Sequence, residues 1–234
     1  MNPTEIFHFA WPYAGLGAAV VLLFLLFGGD VLRVEKDRSR WRDPYWLSWL
    51  FVVAYLFHNI EEYAIDLHGN ALGFPAGIAA ILGRMPSWMF FETVNFSMVW
   101  IAAPLAAWLA RRNRWPYMAV VFAGVMLVNS LTHIGSMFAG GYNPGLLTTL
   151  LLLVPLGVWG IVGFYGKGRM LRGRAVWANI GMGLLYHVIM FGTTLGLMLP
   201  ARVSDFWCSM ILLADAVLLF VLWIVYQKYW GMNN

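Results

Sequence analysis

Apolar residues run in long blocks along this chain, separated by short polar connections. Seven such blocks follow one another, at approximately 11–27, 45–65, 87–110, 115–139, 145–165, 175–199 and 206–227. At about 1.5 Å per residue, a helix of roughly 20 residues crosses a hydrocarbon core of about 30 Å. The pattern predicts an all-α, polytopic membrane bundle of seven transmembrane helices, a single domain over 1–234, without linker, low-complexity tract or convincing internal repeat. Ahead of the first block, MNPTEIFHFA holds Glu5 and no Lys or Arg. A secretory leader begins with basic residues, so this block is expected to be a span. The longest connection, 66–86, is apolar but broken by Gly73, Pro75 and Gly77. Too short to cross, it is expected to lie on the outer membrane surface, as a seal over the bundle or as a lid.

Composition supports the membrane reading, and charge orients it. The 234 residues are 61% hydrophobic and 11% charged, against roughly 25% charged in an average soluble domain. The basic excess does not point to nucleic acid, because it is sorted by side. Of the 15 Lys and Arg, 13 fall in alternate connections and the tail: Arg33 to Arg42, the RRNR of 111–114, Lys167 to Arg174, and Lys228. Only Arg84 and Arg202 lie on the other side. Such a bias predicts the N-terminus outside and the C-terminus in the cytoplasm. Cys208 is the one cysteine, which rules out an internal disulfide and any Cys-rich metal motif.

The polar residues inside the blocks carry the chemistry. Counting along each helix from its end places His58 and Asn129 about 21 Å above the cytoplasmic face, and Glu62 and His133 about 27 Å above it. By the same rise Glu92 and Asn95 lie about 7 and 12 Å below the outer edge, and His187 and Asp215 near the midplane. His58 with Glu61 or Glu62, Glu92 with Asn95, and Asn129 with His133 are three or four residues apart, so each pair shares a helical face. A charged side chain at mid-membrane costs about 2.5–3.5 kcal/mol, so this layer needs compensation, and a functional site is the default reading. The blander reading puts Glu61 and Glu62 in interfacial water and makes Asn95 and Asn129 interhelical hydrogen-bond bridges.

His58, Glu62 and His133 are the expected ligands of a divalent metal, zinc or iron. Glu61, Glu92 and His187 are expected as further ligands or acid–base groups, Asn129, Asn95 and Tyr186 as residues supporting them, and Asp215 as a separate acid or as the partner of a buried polar group. The spacing is neither the HExxH of zincins nor the paired ExxH of ferritin-like proteins.

At HNIEE (57–62 read with its flanking Phe), the chain resembles the HXXEE-domain family of prokaryotic membrane proteins. The likeness continues through Phe74-Pro75, Val94-Asn95, NSLTH (Asn129 to His133), GYNPGLLT (Gly141 to Thr148) and LLVPLG, covering approximately 45–160. It implies a prokaryotic cytoplasmic membrane protein and no particular reaction. The chain is similar more distantly to alkaline-ceramidase-like membrane hydrolases, without their Ser and Asp pattern, and to small seven-span terpene cyclases in the placement of Glu61 or Glu62 and Asp215. The expected function is an integral-membrane enzyme on a lipidic or isoprenoid substrate, hydrolytic with zinc and oxidative with iron. A metal-free isoprenoid cyclase or isomerase started by a protonated carboxyl is the first alternative. A transporter or proton-coupled sensor is the second, and the lack of internal repeats weighs against it.

Overall fold

The computed structural model describes residues 3–230, and among them it is helical apart from short connections. The main elements are α1 (Pro3–Phe27), α2 (Pro44–Tyr63), α3 (Gly73–Leu82), α4 (Trp88–Asn113), α5 (Pro116–Gly140), α6 (Leu146–Phe164), α7 (Ala175–Met198) and α8 (Asp205–Trp230). Six of them, α1 and α4 to α8, are long and apolar enough to cross a membrane. The expected seventh span is α2, and it differs in kind: His58, Asn59, Glu61 and Glu62 dilute its hydropathy. It is also the most buried helix, with only Trp49, Phe57 and Ile60 of its 20 residues partly accessible. A helix walled by protein on all sides does not have to be apolar throughout, because its polar groups can be satisfied by neighbours rather than by lipid.

That central position follows from the packing. Helix α2 lies against α1, α3, α4, α5 and α6, while α7 closes the far side against α5 and α8. Its start is anchored by Asp43, fully buried, whose carboxylate accepts from the amides of Tyr45 and Trp46 at the helix N-terminus and from Val34 and Glu35 of the preceding loop. Pro44 occupies the first helical position, where no amide hydrogen is needed.

The α5–α7 contact sets the height of the site. Asn179 is fully buried; its Oδ1 accepts from Gly124 N and its Nδ2 donates to Val120 O and to the Tyr165 hydroxyl. A Cβ on Gly124 would collide with Asn179, and one on Gly183 with the backbone of Gly124, so the helices meet at van der Waals distance of their main chains. Close approach through small residues, fastened by an amide side chain, is the usual way helices associate without a hydrophobic driving force.

Three helices widen into π-helical turns, at Phe96–Ala102, Thr149–Leu153 and Thr194–Met198. Each ends two residues before a proline: Pro104, Pro155 and Pro200. A proline cannot donate to the carbonyl four residues earlier and its ring clashes with it. Those carbonyls belong to Trp100, Leu151 and Gly196, each inside the widened turn. The connection 66–86 forms α3, an apolar ten-residue helix at the same end of the bundle as Glu62 and His133.

Candidate metal centre

His58 and Glu62 stand one turn apart on α2 and face His133 of α5. Glu62 Oε1 lies 3.5 Å from His58 Nε2 and 3.4 Å from His133 Nε2, with all three residues buried. One ligand atom from each residue falls within 4.8 Å of the others, so the trio could hold a metal ion. Zinc bonds of about 2.0–2.1 Å in a tetrahedron put neighbouring donors about 3.3 Å apart. The two observed edges match that spacing.

The surrounding hydrogen bonds decide which ring nitrogens carry protons. Glu61 Oε1 accepts from the Tyr142 hydroxyl and Leu147 N, both at 2.9 Å, and Oε2 from Thr148 N at 2.7 Å and Thr148 Oγ1 at 2.6 Å. Since the Thr148 hydrogen goes to a carboxylate, its oxygen is left to accept from His58 Nδ1, 2.9 Å away. On the other ring, Asn143 Nδ2 donates to His133 O at 3.0 Å, which turns Asn143 Oδ1 toward His133 Nδ1 at 2.6 Å. Both imidazoles therefore donate outward through Nδ1 and turn Nε2 inward toward Glu62, as a lone pair when the ring is neutral. With both rings neutral, three electron-pair donors converge in a buried space and repel one another unless a proton or a metal cation lies among them. Histidine ligands held through the other ring nitrogen are the standard support of a metal site.

Gly145 makes the approach possible. Its φ is +94°, and a Cβ there would stand 2.6 Å from His133 Cε1, 2.7 Å from His58 Cε1 and 3.1 Å from Glu62 Cγ. Only a glycine can pass so close in that conformation.

The remaining expected site residues separate into three groups. Asn129 and His187 join the centre: Asn129 Nδ2 is 3.1 Å from His58 Nε2, and Asn129 Oδ1 is 3.4 Å from His187 Nε2. Asn95 and Tyr186 line the adjoining cavity, where Asn95 Nδ2 donates to Phe91 O. Glu61, Glu92 and Asp215 stand elsewhere. Glu61 caps the N-terminus of α6 from the side, where a negative charge is favoured by the unpaired amides and the helix dipole. Burial, and then the Glu61 carboxylate it donates to, push the Tyr142 hydroxyl up to about 12, so it remains a donor. Glu92 contacts His8 at 2.5 Å, under the stacked ring of Trp88. Asp215 is buried, neither of its oxygens has a hydrogen-bond partner among the described residues, and it is not among the residues lining the cavity.

Sequence reasoning missed Asn59, Asn143 and the role of Thr148. Asn59 is 2% exposed, lines the cavity, and neither amide atom has a partner among the described residues. Its position beside His58 in the motif was the only signal available. Asn143 lay within the Tyr-Asn-Pro-Gly run, whose tight turn brings it back onto His133.

The cavity holds about 380 Å³, within the 300–1,000 Å³ range of small-molecule sites. His58, Asn59, Glu62, Asn95, Asn129 and His133 form one end, while Phe74, Ile78 and Ile81 of α3, Phe91 and Met98 of α4, and Phe191 and Leu195 of α7 form apolar walls. No curated protein and no solved structure matches the chain. A family model does match, over residues 49–160, which includes the motif on α2, Asn129 and His133 on α5, the Gly145 turn and most of α6. The resemblance read from HNIEE is thus borne out, and this segment carries the domain of the family described as "Protein of unknown function with HXXEE motif".

Proposed function

We propose that the chain is an integral-membrane, metal-dependent enzyme acting on a lipidic substrate. The observation that carries this is the convergence of two imidazole Nε2 atoms and a carboxylate oxygen on one point, with both rings held there through Nδ1. His58, Glu62 and His133 hold the ion, in a donor set of two nitrogens and one oxygen suited to zinc or ferrous iron rather than calcium or magnesium. When bound, such an ion supplies Lewis-acid activation, for hydrolysis if zinc and oxidation if iron. Asn59, with a donor and an acceptor free, holds the substrate's polar group beside the centre. The hydrocarbon part lies along the α3, α4 and α7 walls, and α3 serves as the roof past which it enters. A metal-free carboxyl acid has less behind it, since Asp215 stands off the cavity and Glu62 sits between two bases.

In this reading α2 is a seventh crossing, supported by its length and its place inside the ring of apolar helices. The sorting of 13 basic residues to one side supports a C-terminus in the cytoplasm of a prokaryotic cell and a site in the outer half of the cytoplasmic membrane. The test is elemental analysis of the full chain purified in detergent, followed by incubation with a membrane lipid extract and mass spectrometry. The wild type is expected to contain one equivalent of zinc or iron and to consume a lipid. His133→Ala is expected to do neither. A wild type that consumes lipid with no bound metal refutes metal dependence.

A further inference from the structure

We infer that Asn129 turns its side-chain amide over when a cation enters the centre and becomes its fourth donor, with His187 holding the inverted amide. This rests on the metal reading above and deepens it. The hydrogen bonds around Asn129 have a polarity that its amide cannot satisfy on both sides.

His187 Nδ1 lies 2.8 Å from Gly183 O. A carbonyl only accepts, so Nδ1 carries the proton and neutral His187 presents a lone pair at Nε2. Neutral His58 presents one at Nε2 as well, because its Nδ1 hydrogen goes to Thr148. Asn129 stands between these two acceptors with one donor and one acceptor of its own. With Nδ2 toward His58 at 3.1 Å, Oδ1 faces the His187 lone pair at 3.4 Å, and that contact contains no hydrogen. Rotating the amide by half a turn reverses the fault: Nδ2 donates to His187, and Oδ1 faces the lone pair of His58. Neither orientation satisfies both rings.

Three things could cure the mismatch, and one is a second proton on His58, with Glu62 3.5 Å away to balance it. A second proton on His187 would place an imidazolium deep in the bundle, and among the described residues no carboxylate pairs with that ring, so its charge would be uncompensated. A cation next to His58 Nε2 cures it without any buried net charge on His187. Oδ1 then joins His58 Nε2, His133 Nε2 and Glu62 Oε1 around the ion, and Nδ2 satisfies His187. The amide-to-imidazole spacing of 3.1 Å is again close to a tetrahedral edge. Zinc centres expand to five donors, which leaves a position for substrate.

The experiment measures zinc affinity of the full chain in detergent by competition with a chromophoric chelator, together with thermal unfolding with and without zinc. Asn129→Leu is expected to weaken zinc binding by about 10–100-fold. Asn129→Asp keeps the oxygen and discards the N–H, and is expected to bind zinc at least as tightly as the wild type. It should also unfold at a lower temperature without zinc, because a carboxylate then faces two lone pairs. His187→Leu is expected to weaken binding by about tenfold through loss of the amide's holder. Zinc binding by Asn129→Leu equal to the wild type's overturns the inference while leaving the three-donor centre standing. So does a tenfold or greater loss in Asn129→Asp, which decides the matter even if the leucine variant fails to fold. A wild type that binds no zinc and no ferrous iron removes the centre and this inference together.

Discussion

Glu61 and Glu62 are adjacent and chemically alike, yet they do different work. One residue along a helix is a rotation of about 100°, which turns Glu62 between two imidazoles and Glu61 onto the first amides of α6. The motif shows that two carboxylates are present; which one meets the imidazoles depends on what stands opposite each. Gly145 is the residue on which the centre's dimensions depend most directly. Gly145→Ala is expected to abolish metal content, because its Cβ would lie 2.6–2.7 Å from both imidazoles. It should also lower stability by about 1–2 kcal/mol through left-handed strain. Elemental analysis and a thermal melt of the purified variant check both, and a variant that keeps its metal would show that the turn does not control the approach.

At the level of elements, the helices themselves were legible: the ends expected from the apolar blocks fall within a few residues of those found, apart from α1, which starts earlier. Two features were not. The π-helical turns come from prolines whose effect depends on neighbouring helices to re-satisfy the freed carbonyls, and the α5–α7 contact depends on Asn179, one polar residue among many. Asn179, Gly183 and His187 are four apart on α7 and share a face. Asn179→Leu is therefore expected to cost about 1–2 kcal/mol through its lost interhelical hydrogen bonds. Displacing α7 would also move His187 away from Asn129. Denaturation in mixed micelles, with zinc affinity measured alongside, tests both halves; an unchanged unfolding midpoint would mean the glycine contacts hold the pair alone.

Across the whole molecule, the chain surrounds one polar helix with apolar ones. His58 and Glu62 of α2, Asn129 and His133 of α5 and His187 of α7 then meet beside a cavity walled by α3, α4 and α7, and the basic connections gather at the opposite end. Orientation is open to direct measurement, because the one native cysteine, Cys208, is buried and can be replaced. In a Cys208→Ala background, His68→Cys is expected to react with an impermeant maleimide in intact spheroplasts. Ser39→Cys, among the basic residues of the first connection, should react only after lysis. The opposite labelling would invert the proposed topology.

The sequence by itself determined the class of fold, the places where most helices begin and end, and the presence of His58, His133 and a pair of carboxylates at one level. Those properties follow from hydropathy and from helical spacing, which are local. Only the tertiary structure decided that Glu61 caps a helix, that Glu92 pairs with His8, that Asp215 stands apart, and that Asn59 faces the cavity without a partner among the described residues. A side chain's role inside a membrane protein depends on which donor or acceptor lies across from it on another helix, and depth along one helix carries no information about that.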